Sequence, residues 1–162
     1  MTSYKNHHNT KRNHMVKSKY GGSNRKTNRK TNNHSLIKEF ISQMFSLQLT
    51  LKMVHWSTKS YQIHINTDLN IDKINPLIDS FVESFLGKNT RKHLKQDIIK
   101  NIVIHKINNT SDLNNFIHKI ICYLSSLDKL LSPFANGDLI SIRDEIISQL
   151  NILRYLLSFN MK

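Results

Sequence analysis

The stretch SLIKEFISQMFSLQLTLKMVHWS, residues 35–57, decides the fold. Leu36, Phe40, Met44, Leu47, Leu51 and His55 recur at steps of three and four, which is one face of a helix with 3.6 residues per turn. No Gly or Pro interrupts the run from Leu36 to Tyr61. Asn33 or Ser35 can cap its start, so the spacing predicts a helix from about Ser35 to about Ser57.

Outward from this helix, the same periodicity returns three more times. A second helix is expected over roughly Tyr61 to Leu86, with Ile71, Ile74, Ile78, Phe81 and Phe85 as its apolar stripe and Gly87 as its stop. Pro76 lies inside it and is expected to kink or divide it. Residues 88–110 are polar around an apolar patch from Asp97 to Ile107, and their type is open between a short helix and irregular chain. A third helix is expected from about Asp112 to Leu131, capped by Ser111 and ended by Ser132-Pro133. A fourth is expected from about Asp138 to Phe159, with Ile142, Ile146, Leu150, Leu153 and Leu157 facing inward. Two helical hairpins separated by one long crossover are the layout of a ferritin-like bundle. The expected fold is therefore all-α: a ferritin-like four-helix bundle over 35–162, preceded by a disordered basic arm over 1–34.

The arm explains the charge. The net charge is +13, but residues 1–35 hold nine Lys or Arg and no acid, while the rest holds fifteen basic and eleven acidic side chains. The arm also repeats Asn24-Arg25-Lys26-Thr27 as Asn28-Arg29-Lys30-Thr31. Too few apolar groups are present to offset the entropy of ordering it. A flexible cationic segment suits nonspecific contact with phosphate through counterion release. Lys11, Arg12, Lys17, Lys19, Arg25, Lys26, Arg29 and Lys30 are its candidate DNA- or RNA-binding residues. Without interleaved aromatics, base stacking is not expected. A localisation or packaging signal, or a solubility device, remains an open reading of the same residues.

Other classes find little footing. Cys122 is the single cysteine, so no internal disulfide can form and a reducing compartment is the simpler reading. No 18 apolar residues follow one another, so neither a spanning helix nor a membrane partner is expected. No Ser-His-Asp order, phosphate-cradling Gly-rich loop or paired C-x-x-C supports a hydrolase or a nucleotide-dependent enzyme. The excess of Asn, Ile and Lys over a single Ala is the bias of an AT-rich genome.

The second helix carries the chemistry. With His64 at zero and 100° per residue, Asp68, Asp72, Asp79 and Glu83 fall within one arc of about 100°. Imidazole with carboxylate suits iron or manganese and can also bind zinc. Asp68 and Asp79 are eleven residues apart, about 16 Å along a helix, so one ion cannot join them within a chain. A two-fold dimer with antiparallel second helices can bring Asp68 of one chain to Asp79 of its mate. The plainer reading is a solvated acidic face. His93, His105 and His118 read as surface or locally bonded groups, Trp56 as packing and Cys122 as a small buried thiol.

His55-Trp56, then His64 with Asp68 four further on, then Asp79 and Glu83 as D-x-x-x-E, resemble the DNA-protection-during-starvation (Dps) mini-ferritins. The resemblance implies a metal site made of His55, His64, Asp68, Asp79 and Glu83 between two-fold-related subunits. Asp72 would be a further ligand or an outer acceptor. It implies iron as the metal, a possible ferroxidase activity and a homo-oligomer built from two-fold dimers. Three features depart from Dps: His55 and His64 are only nine apart, Pro76 interrupts the second helix, and residues 88–110 follow another pattern. The stretches HWSTKSY (55–61), IDSFVE (78–83) and IRDEI (142–146), with Tyr155-Leu156-Leu157, look closer still to an uncharacterised family from nucleocytoplasmic large DNA viruses. That likeness implies a viral protein of the host cytoplasm or nucleus, or one packaged in the virion. The rival expectation is a non-catalytic DNA-binding or virion structural protein on a bundle that has lost its metal.

Overall fold

A computed structural model describes residues 24–89, 94 and 102–159, with side chains from Ser35 onward. It is an all-α four-helix bundle: α1 Asn24–Ser57, α2 Tyr61–Lys88, α3 Thr110–Ser126 and α4 Pro133–Ser158. Each helix packs on two others, in the ring α1–α2–α4–α3.

The stripes read from the sequence form the core. Phe40, Met44, Leu47 and Leu51 of α1 are wholly buried, as are Ile74 and Phe81 of α2 and Leu150 and Leu157 of α4. Phe40 and Phe81 stack with ring centroids 4.0 Å apart and pin α1 to α2. Cross-bundle hydrogen bonds fix the directions. Asn70 Nδ2 donates to the Gln149 carbonyl at 2.9 Å, while Lys88 reaches Asp138, so α2 and α4 run antiparallel. Arg154 Nε donates to Asn114 Oδ1 at 2.9 Å and Arg143 pairs with Asp128, so α3 and α4 do likewise.

The long crossover explains how α3 joins the ring. Val103 N–H donates to Ser46 Oγ at 3.0 Å and His105 N–H to Thr50 Oγ1 at 3.1 Å. Alternate residues of an extended segment thus meet hydroxyls one helical turn apart, and both hydroxyl-bearing side chains are buried. The segment climbs alongside α1 and delivers α3 beside the far end of that helix. Residues 102–108 are not helical, which decides the open reading for that part; 90–93 and 95–101 lie outside the described residues.

Boundaries differ from expectation in instructive ways. α1 begins at Asn24, so its opening turns contain the duplicated NRKT units ahead of the expected Ser35 start. A helix nucleated by the packed stripe can extend through a polar run that has no Gly or Pro. The disorder expected for residues 1–23 lies outside the described residues. α2 is not divided at Pro76, because the proline is exposed while Ile74 and Ile78 on either side hold the helix to the core. α3 is capped by Asn109, whose Oδ1 accepts the Asp112 N–H at 2.8 Å, and it gives way to a 3-10 turn at Leu127–Lys129. Pro133 opens α4 instead of closing α3, as suits a residue with no N–H to lose at N1. The bend left by that start sits at Asn136. No described helix is long and apolar enough to cross a membrane.

Candidate metal centre

The α1–α2 link is only Thr58-Lys59-Ser60, and its brevity builds the site. Thr58 N–H closes the last turn of α1 on the Val54 carbonyl at 2.9 Å. Ser60 N–H donates to Thr58 Oγ1 at 3.1 Å, and Ser60 Oγ accepts the Ile63 N–H to cap α2. His55 in the last turn of α1 therefore faces His64 in the first turn of α2. Their rings stack at 3.9 Å with a 20° interplanar angle.

The two histidines clasp each other through backbone. His55 Nδ1 donates to the His64 carbonyl at 2.9 Å, and His64 Nδ1 donates to the His55 carbonyl at 2.8 Å. A carbonyl only accepts, so each partner assigns the ring proton to Nδ1. In the neutral ring this leaves Nε2 as a bare lone pair, the arrangement by which metal-binding histidines are commonly oriented. The nine-residue spacing, one turn short of the Dps pattern, is thus what a three-residue link needs to superpose the rings.

Asp68 stands next to this pair. His55 Nε2 lies 3.7 Å from Asp68 Oδ1, too far for a hydrogen bond. Two donors each about 2.1 Å from one ion are separated by roughly 3–3.5 Å, so the gap is near that of a shared cation. Lys52, one turn before His55, holds the same oxygen at 3.0 Å and lies 5.9 Å over the Trp56 ring. The Lys52 hydrogen bond is the main cause holding the Asp68 carboxyl below its ordinary range. Slight desolvation opposes it, and the charges of His55, Lys52 and His64 assist it.

The remaining candidates are not brought to this point. Asp72, Asp79 and Glu83 are exposed along α2. Among the described residues, no group of three His, Cys, Asp or Glu side chains is placed to hold an ion. A single chain therefore presents two imidazoles and one carboxylate near one end of the hairpin and three carboxylates farther along it. Asp144 is tied to the buried Arg143 guanidinium, which also pairs with Asp128. Lys11, Arg12, Lys17 and Lys19 lie outside the described residues; Arg25, Lys26, Arg29 and Lys30 belong to the opening backbone of α1.

A family model described as a family of unknown function (DUF5856) matches residues 55–157. The chain belongs to this family. The matched span opens at His55 and includes His64, Asp68, Asp72, Asp79 and Glu83. No curated protein and no solved structure matches the chain.

Two single-residue expectations are corrected. Trp56 is not packing: it is 67% exposed, because Val54 and His55 take the inward positions of that turn. Cys122 is exposed, since α3 buries Phe116, Ile117, Ile120 and Leu124 on another face; its Sγ lies 3.6 Å from His118 Nε2. Sequence reasoning missed Lys52. Its signal was its spacing, three before His55 and four before Trp56, which puts all three on adjoining faces.

Proposed function

We propose that this protein is a Dps-like mini-ferritin. It binds iron, with manganese or zinc as rivals, where His55, His64 and Asp68 of one chain meet Asp79 and Glu83 of a two-fold mate. The observation that carries the reading is the double clasp of Nδ1 onto backbone carbonyls, which leaves both Nε2 atoms as acceptors, that of His55 3.7 Å from Asp68 Oδ1. Ferrous ion is the substrate in this reading, and its electrons pass to peroxide or oxygen. The chain supplies the donors, and the Lys52 hydrogen bond favours the ionised form of the Asp68 carboxyl. The basic arm, nine positive charges without an acid, supports nonspecific contact with DNA or RNA, and the stretches HWSTKSY, IDSFVE and IRDEI, similar to a family from large DNA viruses, favour a viral bundle.

Anaerobic Fe(II) loading followed by oxidant tests the proposal. Wild type should bind and oxidise Fe(II), and a His64→Ala, Asp68→Ala, Glu83→Ala variant should not. Equal rates would remove the enzyme reading.

One observation favours a second reading, a non-catalytic nucleic-acid-binding or virion structural protein. Lys52 already neutralises Asp68, so the half-site is electrostatically content without an ion. On that reading, deleting residues 1–34 abolishes duplex binding while Fe(II) oxidation is missing from the intact chain as well.

A further inference from the structure

A cleft of about 260 Å³ opens between the crossover and α3. His105, Lys106 and Ile107 line it from the crossover, and Asp112, Asn115, Phe116 and Lys119 from α3. The volume is just under the roughly 300 Å³ at which pockets for drug-sized ligands begin. Its walls are fixed. The crossover is pinned by the hydrogen bonds to Ser46 and Thr50, and the His105 ring lies 4.7 Å from the buried Phe116 ring.

Its chemistry is one-sided. Ionised amines, amides and an imidazole N–H all supply donors, and four of the seven lining residues offer them: His105, Lys106, Asn115 and Lys119. Lys52 and Lys88 elsewhere on the body are engaged, with Asp68 and Asp138. The Lys106 and Lys119 ammonium groups have no ion-pair partner among the described residues. The single lining carboxylate, Asp112, is committed locally, since its Oδ2 accepts from the Asn108 N–H at 3.1 Å and from Asn108 Nδ2 at 3.0 Å. Two cations without an ion-pair partner among the described residues lining one cleft, with the nearby acid hydrogen-bonded within its own loop, suit an anion.

We propose that this cleft binds a phosphate group, held by Lys106 and Lys119 beside the His105 and Phe116 rings. The phosphate is either that of a free nucleotide or a backbone phosphate of nucleic acid. The proposal is independent of the metal reading.

The test uses the full chain in three forms: wild type, Lys106→Glu with Lys119→Glu, and Lys73→Glu with Lys129→Glu. The last carries the same charge change on exposed lysines outside the cleft. AMP is titrated by calorimetry at low salt, and a 20-bp duplex by fluorescence anisotropy across a salt series. Circular dichroism confirms that each variant is folded. If the cleft takes a free phosphate ester, the cleft variant binds AMP at least tenfold more weakly and the control does not. If it takes nucleic acid, the cleft variant loses at least tenfold on the duplex beyond the control. Its plot of log K against log salt also flattens by about two units, one for each lost phosphate contact. The proposal is overturned if the cleft and control variants fall together, or if neither ligand distinguishes the cleft variant from wild type.

Discussion

Removing the histidine clasp should cost stability in an amount the structure lets one work out. His55→Ala deletes a hydrogen bond to backbone, worth about 1 kcal/mol net. It also deletes a ring stack worth about 0.5–1.5 kcal/mol and a side chain only 9% exposed. The expected loss is about 3 kcal/mol, and for the less buried His64 about 2 kcal/mol. Both single variants lose the same stack, so the double variant should be about 1 kcal/mol less destabilised than the sum of the two. For a domain of this size each kcal/mol moves Tm by roughly 2–4 °C, so His55→Ala should melt about 6–12 °C lower. Urea unfolding followed by far-UV circular dichroism on the four proteins of the cycle measures all three quantities. If the variants add within about 0.3 kcal/mol, the rings are not coupled and the stack contributes nothing.

Other consequences follow from the same contacts. At neutral pH, nitrogen-15 NMR should find both His55 and His64 as the Nδ1–H tautomer; an Nε2–H form at either position contradicts the hydrogen bonds assigned to it. The Asp68 carboxyl should titrate below its ordinary 3.8, and Lys52→Met should return it toward that value. A depressed folded-state pKa gives stability that is present above the unfolded value and lost as pH falls through the folded one. The Lys52 contribution should therefore fade only in strong acid, which carbon-13 NMR of the carboxyl checks. Arg143 is buried between Asp128 and Asp144, and burial is the largest influence on it, opposing the two carboxylates that hold its proton. Arg143→Met should change stability by no more than about 1 kcal/mol, whereas Asp128→Ala with Asp144→Ala should cost about 3 kcal/mol by leaving the guanidinium buried and unpaired. Chemical denaturation ranks the two, and the reverse order refutes the argument.

How far the chain could be read follows from which effects are local. The stripes of Leu36 to His55 and Ile71 to Phe85 are periodic, and burial obeyed them residue by residue. The helix ends depended on competition between adjacent residues. Asn109 outbid Ser111 as a cap, and Pro133 can serve as a stop or as a first residue. Periodicity is silent on such choices. The arc of acids along α2 was legible, but their separation from His55 and His64 along the helix was only a consequence of rise per residue. The clasp itself was not legible, because it depends on backbone carbonyls meeting across a three-residue link. Trp56 illustrates a further limit. An aromatic beside a stripe reads as packing until the phase of the last helical turn is known, and here that phase turns the indole outward.

The account turns on two chains pooling donors that one chain cannot assemble, and mixing complementary variants tests this most directly. One variant carries His55→Ala with His64→Ala, and the other Asp79→Ala with Glu83→Ala. Each alone should fail to bind Fe(II). When the two are unfolded, mixed in equal amounts and refolded, half of the dimers are hybrid, and each hybrid regains one intact site of two. Fe(II) binding should therefore return to about a quarter of the wild-type level. No recovery on mixing, while wild type binds after the same treatment, would contradict the account.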